Sequence, residues 1–209
     1  MITRKMIEQA TANSLWDTGN KVLYDMCSKY PNHNADDEII AKIWLIGRSY
    51  AAAIERRKQQ SEEVGDGFYT NHVAPIIRKS KIDLLLEQLK GYRKITDDNF
   101  EEIMTVHFYV TDLFSKISGL DKRSLASKYL HFHHPMLFFI YDSRACNGIR
   151  KFSSITGRSS KTTDTLADNE YRKFSEKCFA LRTYIKEKFG DSLKPREIDN
   201  LLLFAEKDL

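Results

Sequence analysis

The chain has no long apolar run, and residues that interrupt helices are sparse in it. No stretch approaches the roughly 20 consecutive apolar residues of a membrane-spanning helix, so we expect no membrane partner. Only four prolines and nine glycines occur in 209 residues, and apolar residues recur at helical spacing through most of the chain. The sequence therefore predicts an all-α fold, in the form of a compact multi-helix domain.

Cysteine is also scarce. Cys27, Cys146 and Cys178 are an odd number at wide spacing, which fits neither a disulfide framework nor a zinc motif. The first ten residues, MITRKMIEQA, carry acidic and amide side chains where a signal peptide needs an apolar core. We therefore expect reduced thiols and a cytoplasmic protein, and we predict no cofactor and no metal.

The charge balance is mildly basic, with a formal net charge of +4 and a pI of about 8.8. Cations cluster at Lys122 and Arg123 and again between residues 144 and 161, where Ser, Thr and Gly residues accumulate. Such segments suit contacts with phosphate, although solvated helix faces produce similar clusters. The charge pattern is thus compatible with a nucleic acid as partner.

The most informative stretch runs from residue 117 to 145 and reads ISGLDKRSLASKYLHFHHPMLFFIYDSRA. Its glycine turn joins two predicted helices, and a left-handed Gly119 would leave backbone N–H groups available to an anion such as a DNA phosphate. An apolar segment, residues 136–141, then carries Asp142 to a mostly buried position at a predicted helix start. A partly desolvated carboxylate needs a partner, and the nearest cation in sequence is Arg144.

These residues resemble the helix-hairpin-helix DNA glycosylases, the superfamily that contains the 8-oxoguanine and adenine glycosylases. They are similar in particular to bacterial proteins described as 8-oxoguanine-glycosylase-like. The family's hairpin reads LPGVGxK, and a helix, a proline and a short apolar run ending in the catalytic aspartate follow it. Here Ile117–Arg123 lies on the hairpin, and Pro135 and Asp142 fall on the later proline and acid. Asp142 follows Arg123 by 19 residues, which matches the family's lysine-to-aspartate spacing.

The resemblance implies an enzyme that flips a damaged or modified base out of duplex DNA and hydrolyses its N-glycosyl bond. Asp142 would stabilise the oxocarbenium-like sugar and orient the attacking water. Three positions depart from the family: Ser118 replaces the hairpin proline, Asp121 replaces the second hairpin glycine, and Arg123 replaces the catalytic lysine. An arginine cannot form a Schiff base, so we expect a monofunctional glycosylase. Lys122 or Lys128 could substitute for that lysine, although neither has the family's spacing.

Further site residues follow from the same resemblance. The flipped base would enter a pocket near Arg48, Glu55 and Tyr141. The predicted catalytic residues are Asp142 and Lys128, and the predicted DNA-binding residues are Gly119, Lys122, Arg123, Arg144, Arg150, Lys151, Arg158 and Lys161. We predict one helical domain over residues 1–209. A division into two lobes around a cleft is a further expectation, with about 1–95 and 165–209 in one lobe and about 96–164, including the hairpin, in the other.

Each of these residues also has a purely structural interpretation. An aspartate before a serine, as at Asp142, is a common helix N-cap. Lys128 fits a surface cation on a helix, and Arg48 with Glu55 fits a charged edge that pairs internally. His107 lies on an apolar stripe and fits a core histidine. Nearby, the sequence HFHH contains three histidines but lacks the four-ligand set of a structural zinc site.

Two other functions are also compatible with the sequence. One is a non-catalytic nucleic-acid-binding module that keeps the hairpin, and the other is a helical protein-interaction domain. The sequence leaves open which base is recognised and whether the role is repair or defence against foreign DNA. It also leaves open the oligomeric state.

Overall fold

A computed structural model describes residues 2–56, 65–157 and 168–207. Within these ranges the chain forms helices and no strand, which confirms the all-α prediction. No described helix is long and apolar enough to cross a membrane. Two of the predicted DNA-binding residues, Arg158 and Lys161, lie outside the described ranges.

The described helices range from three to 21 residues in length. In chain order they are α1 (Arg4–Thr11), α2 (Asp17–Lys29), α3 (Asp36–Ser49), α4 (Asp66–Phe68), a π-helical segment (Tyr69–Val73), α5 (Ala74–Arg78), α6 (Ile82–Leu89), α7 (Phe100–Ser118), α8 (Arg123–His133), α9 (Ser143–Arg150), α10 (Ser153–Thr156), α11 (Asn169–Phe189) and α12 (Pro195–Lys207).

Local sequence signals account for several helix ends. The side chains of Thr3, Asp142 and Asp168 accept hydrogen bonds from backbone N–H groups in the first turns of α1, α9 and α11. Gly119 and Gly190 end α7 and α11 in the left-handed conformation, with φ of 72° and 82°. The predicted hairpin is therefore present in the form of α7, a turn at Gly119, and α8.

One connected apolar cluster forms the core of the described chain. It includes Ile43 of α3, Phe114 of α7, Leu130 of α8, Cys178 of α11 and Leu202 of α12. Burial of these side chains is the main force that holds the short helices in place, since isolated helices of this length are marginal in water. The cluster joins α7 and α8, which were assigned to one predicted lobe, with α3, α11 and α12, which were assigned to the other. The division into two lobes stays a prediction.

Helix α9 packs on α12 with direct backbone contact at Gly148. A Cβ added to Gly148 would lie 2.1 Å from the carbonyl oxygen of Leu202 and 2.9 Å from its Cα. Only glycine permits this approach, because the obstructing atoms belong to the backbone and cannot rotate away. The contact fixes the start of α9, where Asp142 lies, relative to α12.

We predict that Gly148→Ala lowers the free energy of unfolding by about 1–3 kcal/mol, the usual cost of overpacking. Gly19→Ala is the matched control, because nothing lies within 4 Å of a Cβ added there in α2. That control should leave stability unchanged or raise it by up to about 1 kcal/mol, since alanine favours helix over glycine. Urea denaturation measures both effects, and equal losses in the two variants would contradict the close α9–α12 contact.

Histidines are buried as neutral groups in this fold. Burial is the largest cause of a lowered pKa at each of five of the six histidines, namely His33, His107, His131, His133 and His134. At His33 and His131 the pKa falls to about 4. His131 remains neutral between two fixed partners, the carbonyl of Phe138 and the hydroxyl of Tyr24.

These histidines predict a fold that loses stability in acid. As pH falls below the ordinary histidine pKa of about 6.5, the unfolded chain binds protons that the folded chain excludes. The contribution of these histidines to the free energy of unfolding is therefore complete above a pH of about 6.5 and declines as the pH falls toward 4. Each proton taken up on unfolding contributes about 1.4 kcal/mol per pH unit. Urea midpoints measured from pH 7.5 to 5 should fall steadily below 6.5, whereas a flat profile would rule out neutral burial.

Candidate functional site

The candidate site is built around an ion pair between Lys128 and Asp142. Lys128 Nζ lies 3.2 Å from Asp142 Oδ2, and the two side chains are 1% and 31% exposed. The ammonium group also donates to Ser124 Oγ at 2.8 Å and to the carbonyl of Tyr141 at 3.3 Å. Lys128 is thus a buried cation, and its interpretation as a surface lysine is wrong.

Helix periodicity and a buried apolar segment bring this pair together. Ser124 and Lys128 are four residues apart in α8, so their side chains share one face of the helix. The segment from Leu137 to Ile140 is almost fully buried, and it ends with the backbone N–H of Tyr141 donating to Ser127 Oγ at 3.0 Å. This anchor holds Asp142 opposite the inner face of α8.

Asp142 contacts both the backbone of α9 and the side chain of Lys128. Its Oδ1 accepts the N–H of Ala145 at 2.9 Å and so caps α9, while its Oδ2 faces Lys128. The N-cap interpretation is therefore correct, but it accounts for only one of the two carboxylate oxygens. The carboxylate therefore contacts both the first turn of α9 and a buried lysine of α8.

Burial lowers the pKa of Lys128, and the neighbouring Asp142 carboxylate opposes that shift. The Tyr50 ring lies beside the lysine, with Nζ 5.9 Å from the ring centroid. A lysine with a lowered pKa is more often present as the neutral amine, which is a nucleophile, than an exposed lysine is. The pair can therefore supply a partly exposed carboxylate or an amine beside that carboxylate.

A buried carboxylate, Asp199 of α12, interacts electrostatically with both members of the pair. Its side chain is 4% exposed and accepts from Arg196 Nη1 at 2.8 Å. Burial raises the pKa of Asp199 to about 6, with Asp142 adding to the shift and Lys128 opposing it. The guanidinium of Arg196 also lies 5.8 Å from the centroid of Tyr50. Sequence reasoning missed Asp199, although an aspartate between the buried apolar residues of α12 was a signal for it.

Two carboxylates lie beside the turn of the hairpin. The backbone N–H of Arg123 donates to Asp121 Oδ1 at 3.2 Å, and Arg123 Nη2 donates to Asp121 Oδ2 at 2.7 Å. Arg123 Nε donates to Asp168, whose side chain is 6% exposed. Two carboxylates thus surround the guanidinium at the turn where the resemblance placed a phosphate. Lys122 Nζ is bonded to the carbonyl of Arg56 at 2.6 Å.

The remaining cations lie along and after α9. Arg144 Nε donates to Glu206 at 3.1 Å, which ties the first turn of α9 to α12. Arg150 donates to Asn147 one turn earlier at 3.1 Å. Lys151, directly after the helix, is exposed. Arg144 and Arg150 belong to α9, and Lys151 directly follows it. Of the three, Arg144 is nearest to Asp142 in sequence.

The three residues assigned to the base pocket have different neighbours. Arg48 forms an ion pair with Glu55, and the Tyr69 hydroxyl donates to the same carboxylate. Tyr141 instead packs edge-on against Phe174, with ring centroids 5.2 Å apart. Arg48 and Glu55 therefore form the internal pair that their structural interpretation predicted, and Tyr141 belongs to the packing of α11.

Among the described residues, no group of three or more His, Cys, Asp or Glu side chains is placed to hold a metal ion. The histidines of the HFHH sequence have other neighbours. His131 is bonded as described above, and His134 Nε2 is 3.0 Å from the carbonyl of Leu86. The ring of His133 packs against Tyr129, with centroids 4.9 Å apart.

Comparison of this chain with protein-family models, with curated proteins and with solved structures gave no significant match. The geometry of the site therefore carries the functional argument.

The hairpin contacts predict that Asp121 opposes binding of a phosphate at the turn. Asp121→Asn should strengthen binding to duplex DNA by several-fold and make its salt dependence steeper, by up to about one released counterion. Asp25→Asn is the matched control, since it also removes one negative charge and frees one lysine, Lys21, on exposed α2. Fluorescence anisotropy at several salt concentrations measures both. If both variants change the affinity equally, only net charge matters and the hairpin interpretation fails.

Proposed function

We propose that this protein is a DNA N-glycosylase that breaks the bond between a flipped base and its deoxyribose. The single observation that carries the proposal is the pair of Lys128 and Asp142, 3.2 Å apart at the start of α9 and directly downstream of the α7–α8 hairpin. The spacing of hairpin, proline and aspartate supports it. Asp142 is 31% exposed and is accessible to a sugar from solvent, while buried Lys128 holds the carboxylate in place.

In the proposed reaction the N-glycosyl bond breaks and the base leaves with the bonding electrons, taking up a proton. The sugar develops positive charge at C1′, which the Asp142 carboxylate stabilises electrostatically. A water molecule then adds to C1′ and loses a proton, which leaves an abasic site. This is the monofunctional route that the arginine at position 123 led us to expect.

The burial of Lys128 adds a second route. Its neutral amine would attack C1′ in place of water and displace the base, and the C1′–O4′ bond would then break. This leaves a Schiff base between Lys128 and the opened sugar, and the two protons of the amine pass to the departing base and to O4′. The amine would belong to α8, at a position different from that of the family's lysine. The expectation of a monofunctional enzyme rested on Arg123 and on the spacing of Lys122 and Lys128, which differs from the family's. The contact of Lys128 with Asp142 makes Lys128 the residue to test.

Duplex oligonucleotides with a panel of damaged, deaminated and methylated bases test the proposal. Wild-type protein should create abasic sites at one or more of these bases, and Asp142→Asn should reduce the rate by about 10²–10³-fold. Asparagine still caps α9, so a loss of activity in this variant reports the charge and not the helix end. Abasic-site formation that is absent across the panel, or equal in both proteins, would refute the proposal.

Reductive trapping with borohydride separates the two routes. If Lys128 is the nucleophile, wild-type protein becomes covalently linked to the DNA and Lys128→Met does not. If water is the nucleophile, abasic sites form without any trapped complex. Lys186→Met, at an exposed lysine of α11 that is outside the pair and the predicted DNA-binding residues, is the matched control and should behave as wild type.

A second candidate function is a non-catalytic DNA-binding module. The observation that favours it is the capping role of Asp142, which would explain the residue without any chemistry. This candidate predicts salt-dependent DNA binding that persists in Asp142→Asn, with no excision by either protein. The three free cysteines of the chain fit the proposed cytoplasmic location under both candidates.

A further inference from the structure

A cavity of about 320 Å³ opens between the α1–α2 connection and α12. Its volume is that of a small ligand-binding cleft, for which about 300–1,000 Å³ is usual. Two aromatic rings in its wall are accessible to solvent, since Trp16 is 75% exposed and Phe204 is 36% exposed. Three cations also line it, namely Arg144, Arg196 and Lys207. The cavity therefore combines aromatic faces with positive charge.

A hydrogen-bonded turn before α2 holds Trp16 in this exposed position. The hydroxyl and the backbone N–H of Ser14 donate to the Asp17 carboxylate at 3.0 and 2.7 Å. The N–H of Trp16 donates to Ser14 Oγ at 3.2 Å. The neighbouring side chain, Leu15, is 100% exposed. Large apolar side chains that lie together in water commonly mark a surface that binds a partner.

The charges around the cavity favour an anionic partner. Arg144 Nε donates to Glu206, and Arg196 donates to buried Asp199. Lys207, at the C-terminal end of α12, is exposed. Among the described residues, those that line the cavity include the three cations and no acid. An anion that enters the cavity therefore meets positive side chains in its wall, and the two paired carboxylates belong to residues outside that wall.

We propose that this cavity binds single-stranded DNA, with unpaired bases stacked on Trp16 and Phe204 and phosphates near the three cations. Every base has a flat face that an aromatic ring can cover, and positive charge attracts the backbone of the strand. In a paired duplex the neighbouring bases cover these faces, so exposed rings favour unpaired nucleotides. The choice of DNA rests on the proposed glycosylase function.

Arg144 links this site to the helix that begins at Asp142. It is the second residue of α9, and Asp142 is the N-cap of the same helix. Unpaired nucleotides in the cavity would therefore lie on the helix that presents the candidate catalytic carboxylate. The site is an additional contact with a strand, and it differs from the base pocket that the sequence predicted near Arg48 and Glu55.

Tryptophan fluorescence tests the stacking directly, because the chain has two tryptophans. Trp44→Phe leaves Trp16 as the only tryptophan, and titration of this variant with oligothymidylate should lower its emission until the site is saturated. Trp16→Phe keeps only Trp44 in α3, whose emission should stay constant. Constant emission from Trp16, or an equal loss of emission from both tryptophans, would overturn the proposal.

Fluorescence anisotropy with labelled oligothymidylate measures the contribution of the ring. Trp16→Ala should weaken binding by about 5- to 100-fold, the usual effect of losing one base–aromatic stack. Trp44→Ala, at another exposed tryptophan, is the matched control and should bind as wild type does. Equal effects of the two variants would contradict a stacking role for Trp16.

A comparison of strands tests the same point in the wild-type protein. A strand of equal length with abasic sites in place of its bases keeps the phosphates and lacks the rings. It should therefore bind at least about fivefold more weakly than oligothymidylate. Equal affinity for the two strands would refute the site. This comparison decides the matter if a variant does not fold.

The type of nucleic acid forms a further arm of the test. Relaxed closed-circular DNA has no ends and is fully paired, so it should leave the emission of Trp16 unchanged in the Trp44→Phe protein. A loss of emission as large as that caused by single strands would overturn the preference for unpaired bases. Tighter binding of oligouridylate than of oligothymidylate would overturn the choice of DNA.

Excision assays on the base panel separate this inference from the proposed function. Loss of Trp16 emission with single strands, in a protein that excises no base, would refute the glycosylase proposal and leave the strand site in place. Excision without any change in Trp16 emission would refute the strand site and leave the glycosylase.

Discussion

The arrangement of the candidate site depends on the burial of one lysine. Lys128 is almost completely removed from solvent, and a buried ammonium group is costly unless it has an anion and further hydrogen-bond acceptors. Asp142, Ser124 and the carbonyl of Tyr141 supply these, and they can do so only if the apolar segment before Asp142 runs along α8. The buried charge of Lys128 is therefore balanced only when the backbone from Lys128 to Asp142 follows this path.

Two further charged groups, Arg196 and Asp199, lie close to the Lys128–Asp142 pair. Tyr50 separates two cations, Lys128 and Arg196, and the second of these is balanced by buried Asp199. Two carboxylates, Asp142 and Asp199, thus flank the two cations in a largely apolar interior. Burying such a cluster is costly and contributes little net stability, so the fold depends mainly on the apolar core around it.

Sequence patterns predicted the elements well and the site in part. Helical periodicity, the glycine at position 119 and the placement of Asp142 at a helix start follow from local rules, and local rules determine where helices begin and end. The partners of Asp142 do not follow from them. Lys128 faces Asp142 because of how α8 meets the apolar segment, and Asp199 approaches both only because α12 packs on α9. Contacts between residues distant in sequence depend on tertiary packing, which periodicity does not specify.

The backbone contact at Gly148 has a consequence for the rigidity of the candidate site. Because α9 and α12 touch there without an intervening side chain, no rotamer change can alter the distance between their axes. The start of α9, where Asp142 lies, can therefore move away from Asp199 only if the two helices move as whole units. Side-chain motion alone does not change the spacing of the two carboxylates' backbones.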